Sequence, residues 1–264
     1  MTTVGIAGVG VIGPGIAGWD DASAVLTDQY AFDAQAELPR HPPEGLPANE
    51  RRRITPLIRM ALQCCEGTVA ADLPSTEVRS VFSSSCGDLA TVDKILTALT
   101  LPDKPVSPTL FHNSVHNAAA GYWSISSGDQ AGSTSISAHD SSFSAGLLEA
   151  VSEVLLEDGP VLLLVADSLA PPALSKSRPF LASFAIGLLL VNEPARWNID
   201  VTIAEADEFT AMSKPALESM RLGNPAARGL PLLALMAGGA AGQVTLPYLE
   251  NLGLVIDVSA HDRG

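Results

Sequence analysis

A layered α/β fold, strands alternating with helices around one sheet, is the architecture this sequence implies. Two apolar runs of strand length, Pro160–Ala166 and Phe184–Val191, have the composition of strands covered on both faces. Between Thr55 and about Ala70, Leu57, Met60, Ala61, Cys64 and Val69 fall at helical spacing. Segments of these two kinds take turns along the chain, as they do when helices pack on the faces of a sheet.

In order, Val4–Val11 reads as a buried strand ending in the turn cluster Gly13-Pro14-Gly15. Residues 19–50 mix acidic and Pro-rich pieces, including Pro42-Pro43 and Pro47, and predict an irregular excursion. Arg51-Arg52-Arg53 then stands before the helix of 55–70. Val78–Ser84 is a short β-branched strand that runs into Ser85-Cys86-Gly87-Asp88 and a helix to about Leu99. Ser107-Pro108-Thr109 opens a stretch of small residues, 111–121, suited to close helix packing. Thr134–Ala138 predicts a small-residue strand and Ser141–Leu156 a helix, with Asp140 at the N-cap position between them. After the Pro171-Pro172 loop come the apolar strand 184–191 and a half-exposed strand at 198–206. A helix near Lys214–Arg221, a Gly/Ala-rich piece at 237–242 and a last strand at 254–258 complete the chain. Without a low-complexity linker or an internal repeat, the 264 residues are expected to form a single domain.

Composition narrows the function. Apolar residues make up 47% and charged residues 17%, and the mean hydropathy is +0.25. That charged share is low for a globular domain, so some apolar surface is expected to be buried against another chain. No apolar run approaches the ~20 residues of a membrane-spanning helix. A net charge of −14 argues against nucleic acid and anionic membranes as partners. It also argues against direct docking of an acidic carrier protein, unless the few arginines are clustered. The three cysteines, Cys64, Cys65 and Cys86, have no zinc-like spacing, and no signal-peptide pattern opens the chain. A reducing cytoplasm is the expected compartment.

Three motifs invite a function and fail on their own chemistry. Gly8-Val9-Gly10-Val11-Ile12-Gly13 matches a dinucleotide fingerprint, yet Pro14-Gly15 follows where a helix must open. The acidic residue about 20 positions on, Asp33, follows no apolar strand. His112 and His116 have the i, i+4 spacing of metal ligands on a helix, but no glutamate follows His112. Structural or outer hydrogen bonding suits them better, and no metal or other cofactor is expected. Ser141, Ser142 and Ser144 stand beside His139 and Asp140, but sequence neighbours point apart and cannot make a triad.

Several segments, in order, resemble a β-ketoacyl synthase. Val4–Gly10 resembles the family's first strand, and Ser83-Ser84-Ser85-Cys86-Gly87-Asp88 the turn after its second core strand. Ser137-Ala138-His139-Asp140-Ser141-Ser142 resembles the nucleophile stretch T-A-C-S-S-S. Ser177-Arg178-Pro179-Phe180, with the glycine-containing strand beyond it, resembles the R-P-F segment. Ser107-Pro108-Thr109, 114–121 and 142–150 are similar to the ketosynthase N-terminal-like group, described as chain length factors of aryl polyene or xanthomonadin-type pathways. The resemblance implies a truncated thiolase-like, layered α-β-α fold with its second half shortened.

Laid on that pattern, His139 takes the place of the nucleophilic cysteine, with Asp140 after it. The activating pair of the second half is missing, the only late histidine being His261. No catalytic residue is therefore expected. The resemblance implies a silent partner of an active β-ketoacyl-carrier-protein synthase, joined as a heterodimer through the strand at 134–138 and meeting the acyl carrier protein only indirectly. Phe111, His116, Asn117, Tyr122, Trp123 and Phe143 are the interface or tunnel-wall candidates, with ordinary core as the alternative for each. Two other readings are an acyl-thioester enzyme, such as a malonyl decarboxylase using His139 and Asp140, and a decayed thiolase-fold binding protein.

Overall fold

The computed structural model describes residues 3–69, 78–157 and 159–260. In chain order these form β1 (Val4–Ile12), α1 (Trp19–Leu26), α2 (Ala48–Arg51), α3 (Pro56–Thr68), β2 (Arg79–Ser83), α4 (Leu89–Thr100), α5 (Pro108–Asn113) and α6 (Ala118–Ser127). They continue with β3 (Ser133–Ile136), a 3-10 turn at His139–Ser141, α7 (Ser142–Leu156), β4 (Val161–Asp167), β5 (Phe184–Val191) and β6 (Trp197–Glu205). The last are α8 (Pro215–Gly223), a 3-10 turn at Ala226–Gly229, α9 (Leu230–Ala237), β7 (Gly242–Leu249) and β8 (Leu252–Ala260).

The eight strands form one mixed sheet in the order β3-β2-β4-β5-β1-β6-β8-β7. β2 runs parallel to both β3 and β4, and the remaining pairs are antiparallel. Burial of β4 on both faces, expected from its lack of polar alternation, is what the packing shows. Val161, Leu163 and Val165 enter one core with Phe143 and Leu147 of α7, while Leu162, Leu164 and Ala166 enter the other with Leu57 and Ala61 of α3. Two apolar cores on opposite faces of one sheet make a three-layered α-β-α structure.

The glycines of the dinucleotide-like motif serve this layering. A β-carbon at Gly8, Gly10 or Gly187 would run into Thr68 at the end of α3, so these positions let the helix lie close on β1 and β5. Gly13 then bridges back to Ile16 in a tight turn, and Gly15 takes a φ of +66°, open to glycine at no steric cost. No helix opens there until Trp19, which removes the geometry a pyrophosphate needs.

Three expectations need correction. Residues 19–50 are not wholly irregular, since Trp19–Leu26 is helical and buries only Ala22 and Val25, too few to show a period. α9 and β7 were not expected either. Leu230–Ala237 is apolar nearly all round, and Gly242–Leu249 carries a proline, so neither displays a helical or alternating pattern. Finally, α5 ends at Asn113 and α6 begins at Ala118, so His112 and His116 do not share a helix face.

Candidate functional site

The site lies where the loops after β2, β3 and β4 meet the first turn of α7. His139 has a φ of +51°, uncommon for a residue with a β-carbon and a recurrent feature of functional turns. Ser142 locks this geometry locally: its hydroxyl takes the Ala138 N–H at 3.1 Å and donates to the His139 carbonyl at 2.7 Å. The sharp turn thus holds the 139 side chain at the entrance of a 15-residue helix whose first residues are buried.

Asp140 does not cap that helix, contrary to expectation. Ser141 is the N-cap and makes no side-chain bond, while the Asp140 carboxylate turns to Arg178 at 2.9 Å. A guanidinium offers a charge-assisted bond that backbone N–H groups there do not match. The same arginine donates to His139 Nε2 at 2.6 Å. Arginine can only donate, so Nε2 accepts and the ring proton sits on Nδ1, 3.4 Å from Asp140 Oδ1. His139 is 70% exposed and Arg178 only 16%, so the histidine is clamped from below. Phe180 supports the clamp, with its ring 4.9 Å from the guanidinium carbon.

Arg178 is held in turn by Ser85, from the turn after β2, and through it by Asp167, to which no motif pointed. Its Nη2 donates to Ser85 Oγ at 3.1 Å, and Ser85 Oγ donates to Asp167 Oδ1 at 2.9 Å. That oxygen also accepts from Ser84 Oγ and from Ser85 N–H, both at 2.9 Å. Asp167 ends β4 and is 1% exposed. Burial pushes its carboxyl up to about 6, against the opposing pull of the Ser85 and Ser84 hydrogen bonds and the Arg178 charge. One signal was present in the sequence, because a lone carboxylate closes the otherwise apolar strand Val161–Asp167. Ser137 Oγ donates to the Ser85 carbonyl, tying the β3 side into the same network.

Cys64 and Cys65 stand apart from nucleophile chemistry. Burial pushes the Cys64 thiol up to about 12 and raises Cys65 well above its usual range. Cys86 is partly exposed beside Ser85. Among the described residues no three His, Cys, Asp or Glu side chains are grouped to hold a metal ion. His112 instead packs edge-on against Tyr122, and His116 Nε2 donates to the Ser84 carbonyl at 3.1 Å. His261 lies outside the described residues.

The six interface or tunnel candidates separate into two groups. Phe111, His116 and Asn117 are exposed. Tyr122, Trp123 and Phe143 are core: the first two pack under α3, and Phe143 packs between α7 and the sheet. These three have no surface to offer a partner, which corrects their place among interface residues. A cavity bounded by Leu57, Ile58, Phe82, Leu164, Asn113 and His116 has a volume of about 30 Å³. That is room for a water or two and far too little for an acyl chain.

A family description, the N-terminal domain of β-ketoacyl synthase, matches residues 25–238. Curated protein sequences provide no match. Among solved structures, similarity extends over nearly the whole chain. A chain of the ketosynthase ApeO in complex with its chain length factor ApeC from Xenorhabdus doucetiae matches with a TM-score of 0.76 at 21% identity, covering 97% of this chain and all of the other. The ishigamide ketosynthase/chain length factor gives a TM-score of 0.72 at 14% identity, covering 98% and 99%. AntDE:AntF, a type II polyketide synthase acyl carrier protein in complex with its ketosynthase bound to the hexaketide, gives 0.74 at 11% identity, again covering 98% and 99%. The fold is thus the thiolase-like ketosynthase fold, and with most of its length matched by the family description, the chain belongs to the β-ketoacyl synthase N-terminal domain family.

Proposed function

We propose that this chain is a non-catalytic, chain-length-factor-like subunit. It pairs with an active β-ketoacyl-carrier-protein synthase in a cytoplasmic type II polyketide or fatty-acid-like system of the aryl polyene kind. One observation carries the reading. The turn that would present a nucleophile at the start of α7 is kept, but His139 occupies it with its Nε2 lone pair engaged by Arg178. Neither this imidazole nor the Asp140 carboxylate holds an acyl group durably, so the thiolate must come from a partner.

The surface supports pairing. β3 is an edge strand, and α4, whose only buried residue is Thr91, leaves Leu96 and Leu99 exposed. Phe111, Val115 and Ile125 on or beside α5 and α6 add further exposed apolar groups. Uncovered apolar residues in such number mark an interaction surface. Similar chains come from assemblies of a ketosynthase with a chain length factor, which agrees with a ketosynthase as the occupant. Among the described residues no helix is long and apolar enough to cross a membrane.

Co-expression with the ketosynthase encoded beside this chain, followed by size-exclusion chromatography and a condensation assay, tests the proposal. The expected result is a stable 1:1 complex whose product length or rate depends on this chain. Turnover of malonyl carrier protein by the lone chain, abolished in His139→Ala and with no complex formed, would replace it with the decarboxylase reading.

A further inference from the structure

Near the end of α8 three guanidiniums, Arg178, Arg221 and Arg228, meet two carboxylates, Asp140 and Glu218. Both acids are engaged. Asp140 pairs with Arg178 at 2.9 Å, and Glu218 receives Nε and Nη2 of Arg221 at 2.7 and 2.6 Å. Arg228 has one bond, from Nη2 to the Leu222 carbonyl at 3.4 Å. Among the described residues its Nε is buried without an acceptor, and it forms no ion pair. The last turn of α8 gives a cation some reason to stand there, because the negative end of the helix dipole faces it. A single carbonyl at that distance does not offset the desolvation of a guanidinium. Burial, and then the Arg221 charge, hold the Arg228 pKa below the ordinary arginine value.

The surrounding structure holds this arginine in place. Asn224, fully buried, donates to the Asp167 and Ala182 carbonyls at 3.1 and 2.8 Å and accepts the Ala226 N–H at 2.8 Å. These bonds fix the 3-10 turn that carries Arg228. A β-carbon at Gly229 would run into the Phe143 ring, so the same turn lies against the start of α7. Each segment that Asn224 ties together exposes a leucine within two residues of those bonds: Leu169, Leu181 and Leu222. Leu181 N–H donates to the Gly223 carbonyl at 2.7 Å, which sets it beside Leu222.

Ligand chemistry follows from these contacts. Arg221 grips both oxygens of a carboxylate with its Nε–Nη2 edge, and Arg228 carries only a long carbonyl bond on the same edge. At 3.4 Å that bond gives way at little cost. One surplus positive charge matches a monoanion, whereas a phosphate monoester brings more negative charge, which Asp140 and Glu218 repel. The exposed leucines add an apolar rim, so an amphiphile fits better than a bare ion.

We infer that Arg228, with Leu181 and Leu222 beside it, binds a free aliphatic acid, its carboxylate on the Nε–Nη2 edge and its chain over the leucines. Such a site lies outside the pairing with a ketosynthase and needs no partner subunit.

Calorimetric titration of the full chain with sodium octanoate, acetate, 1-octanol and inorganic phosphate tests this site. Octanoate should bind at least about tenfold more tightly than the other three, because only it supplies both the single charge and the chain. Arg228→Gln should weaken octanoate about tenfold, and Leu222→Ser should weaken octanoate while leaving acetate unchanged. Octanol or phosphate binding as tightly as octanoate overturns the inference, as does an Arg228→Gln affinity within about twofold of the parent or no octanoate binding at all. If Arg228→Gln does not fold, the comparison of octanoate with octanol on the parent and the Leu222→Ser titration still decide. None of these outcomes bears on complex formation with the ketosynthase, so the two readings fail separately.

Discussion

Arg178 decides what the site can do, because one side chain satisfies His139, Asp140 and Ser85 together. Two predictions belong to this scale. Asp167, buried beneath Ser85, has its carboxyl raised to about 6 in the folded state. A raised folded value means that the native state holds its proton more tightly than the unfolded chain does. The group therefore stabilises the fold below about pH 4, and that contribution is lost as pH rises through about 6. A shift of roughly two units corresponds to about 3 kcal/mol. Asp167→Asn cannot ionise, so urea unfolding between about pH 4 and pH 8 should show this loss in the parent but not in the variant. A variant curve parallel to the parent's would show that Asp167 does not titrate there. The second prediction concerns the turn itself. His139→Cys returns a thiol to the start of α7 beside the Arg178 guanidinium, where helix dipole and cation both favour thiolate. Alkylation by iodoacetamide near neutral pH should then run about tenfold faster than for a free cysteine. A rate no faster than free cysteine would mean that the turn no longer activates a nucleophile.

At the scale of elements, the two sheet edges differ. β7 carries Pro247 and a register irregularity between Pro247 and Leu249, devices that blunt an edge. β3 has neither, only the four residues Ser133–Ile136. Gly132 and Ile136 accept from Ser80 and Ser84 of the neighbouring strand and loop, so the even-numbered residues bond inward. Ser133 and Ser135 accordingly direct their backbone groups outward, since these alternate along a strand. Ser135→Pro removes an outward donor and leaves the bonds to β2 intact. It should weaken the ketosynthase complex at least about tenfold while changing the stability of the lone chain by only about 1 kcal/mol. Thermal melting and analytical ultracentrifugation read the two effects separately. A complex as tight as the parent's would exclude strand pairing at β3.

Across the whole molecule, legibility followed pattern strength. α3 and the runs that became β4 and β5 were readable because one face or both are apolar in the matching period. α1, α9 and β7 escaped because a short helix, an all-apolar helix and a proline-bearing strand carry no period. Within the site, His139 and Asp140 were visible as substitutions at a nucleophile position, and Arg178 through the R-P-F segment. The Ser85–Asp167 support was not, because those partners are 82 residues apart and meet only in the folded sheet. Separation along the chain likewise hid the pairing of Asp140 with Arg178 and favoured the nearer capping role.

The placement of β1 has a consequence for how the protein is made. β1 is an inner strand of the sheet, and its neighbours β5 and β6 follow far behind it in the chain, with Gly5 opposite Val191 and Val4 opposite Ile199. While the ribosome works through the intervening residues, β1 has no strand to pair with, so its apolar side chains wait exposed. Pairings this distant in sequence slow folding and prolong the life of sticky intermediates. Yield of the native chain should therefore depend on translation rate and chaperone supply.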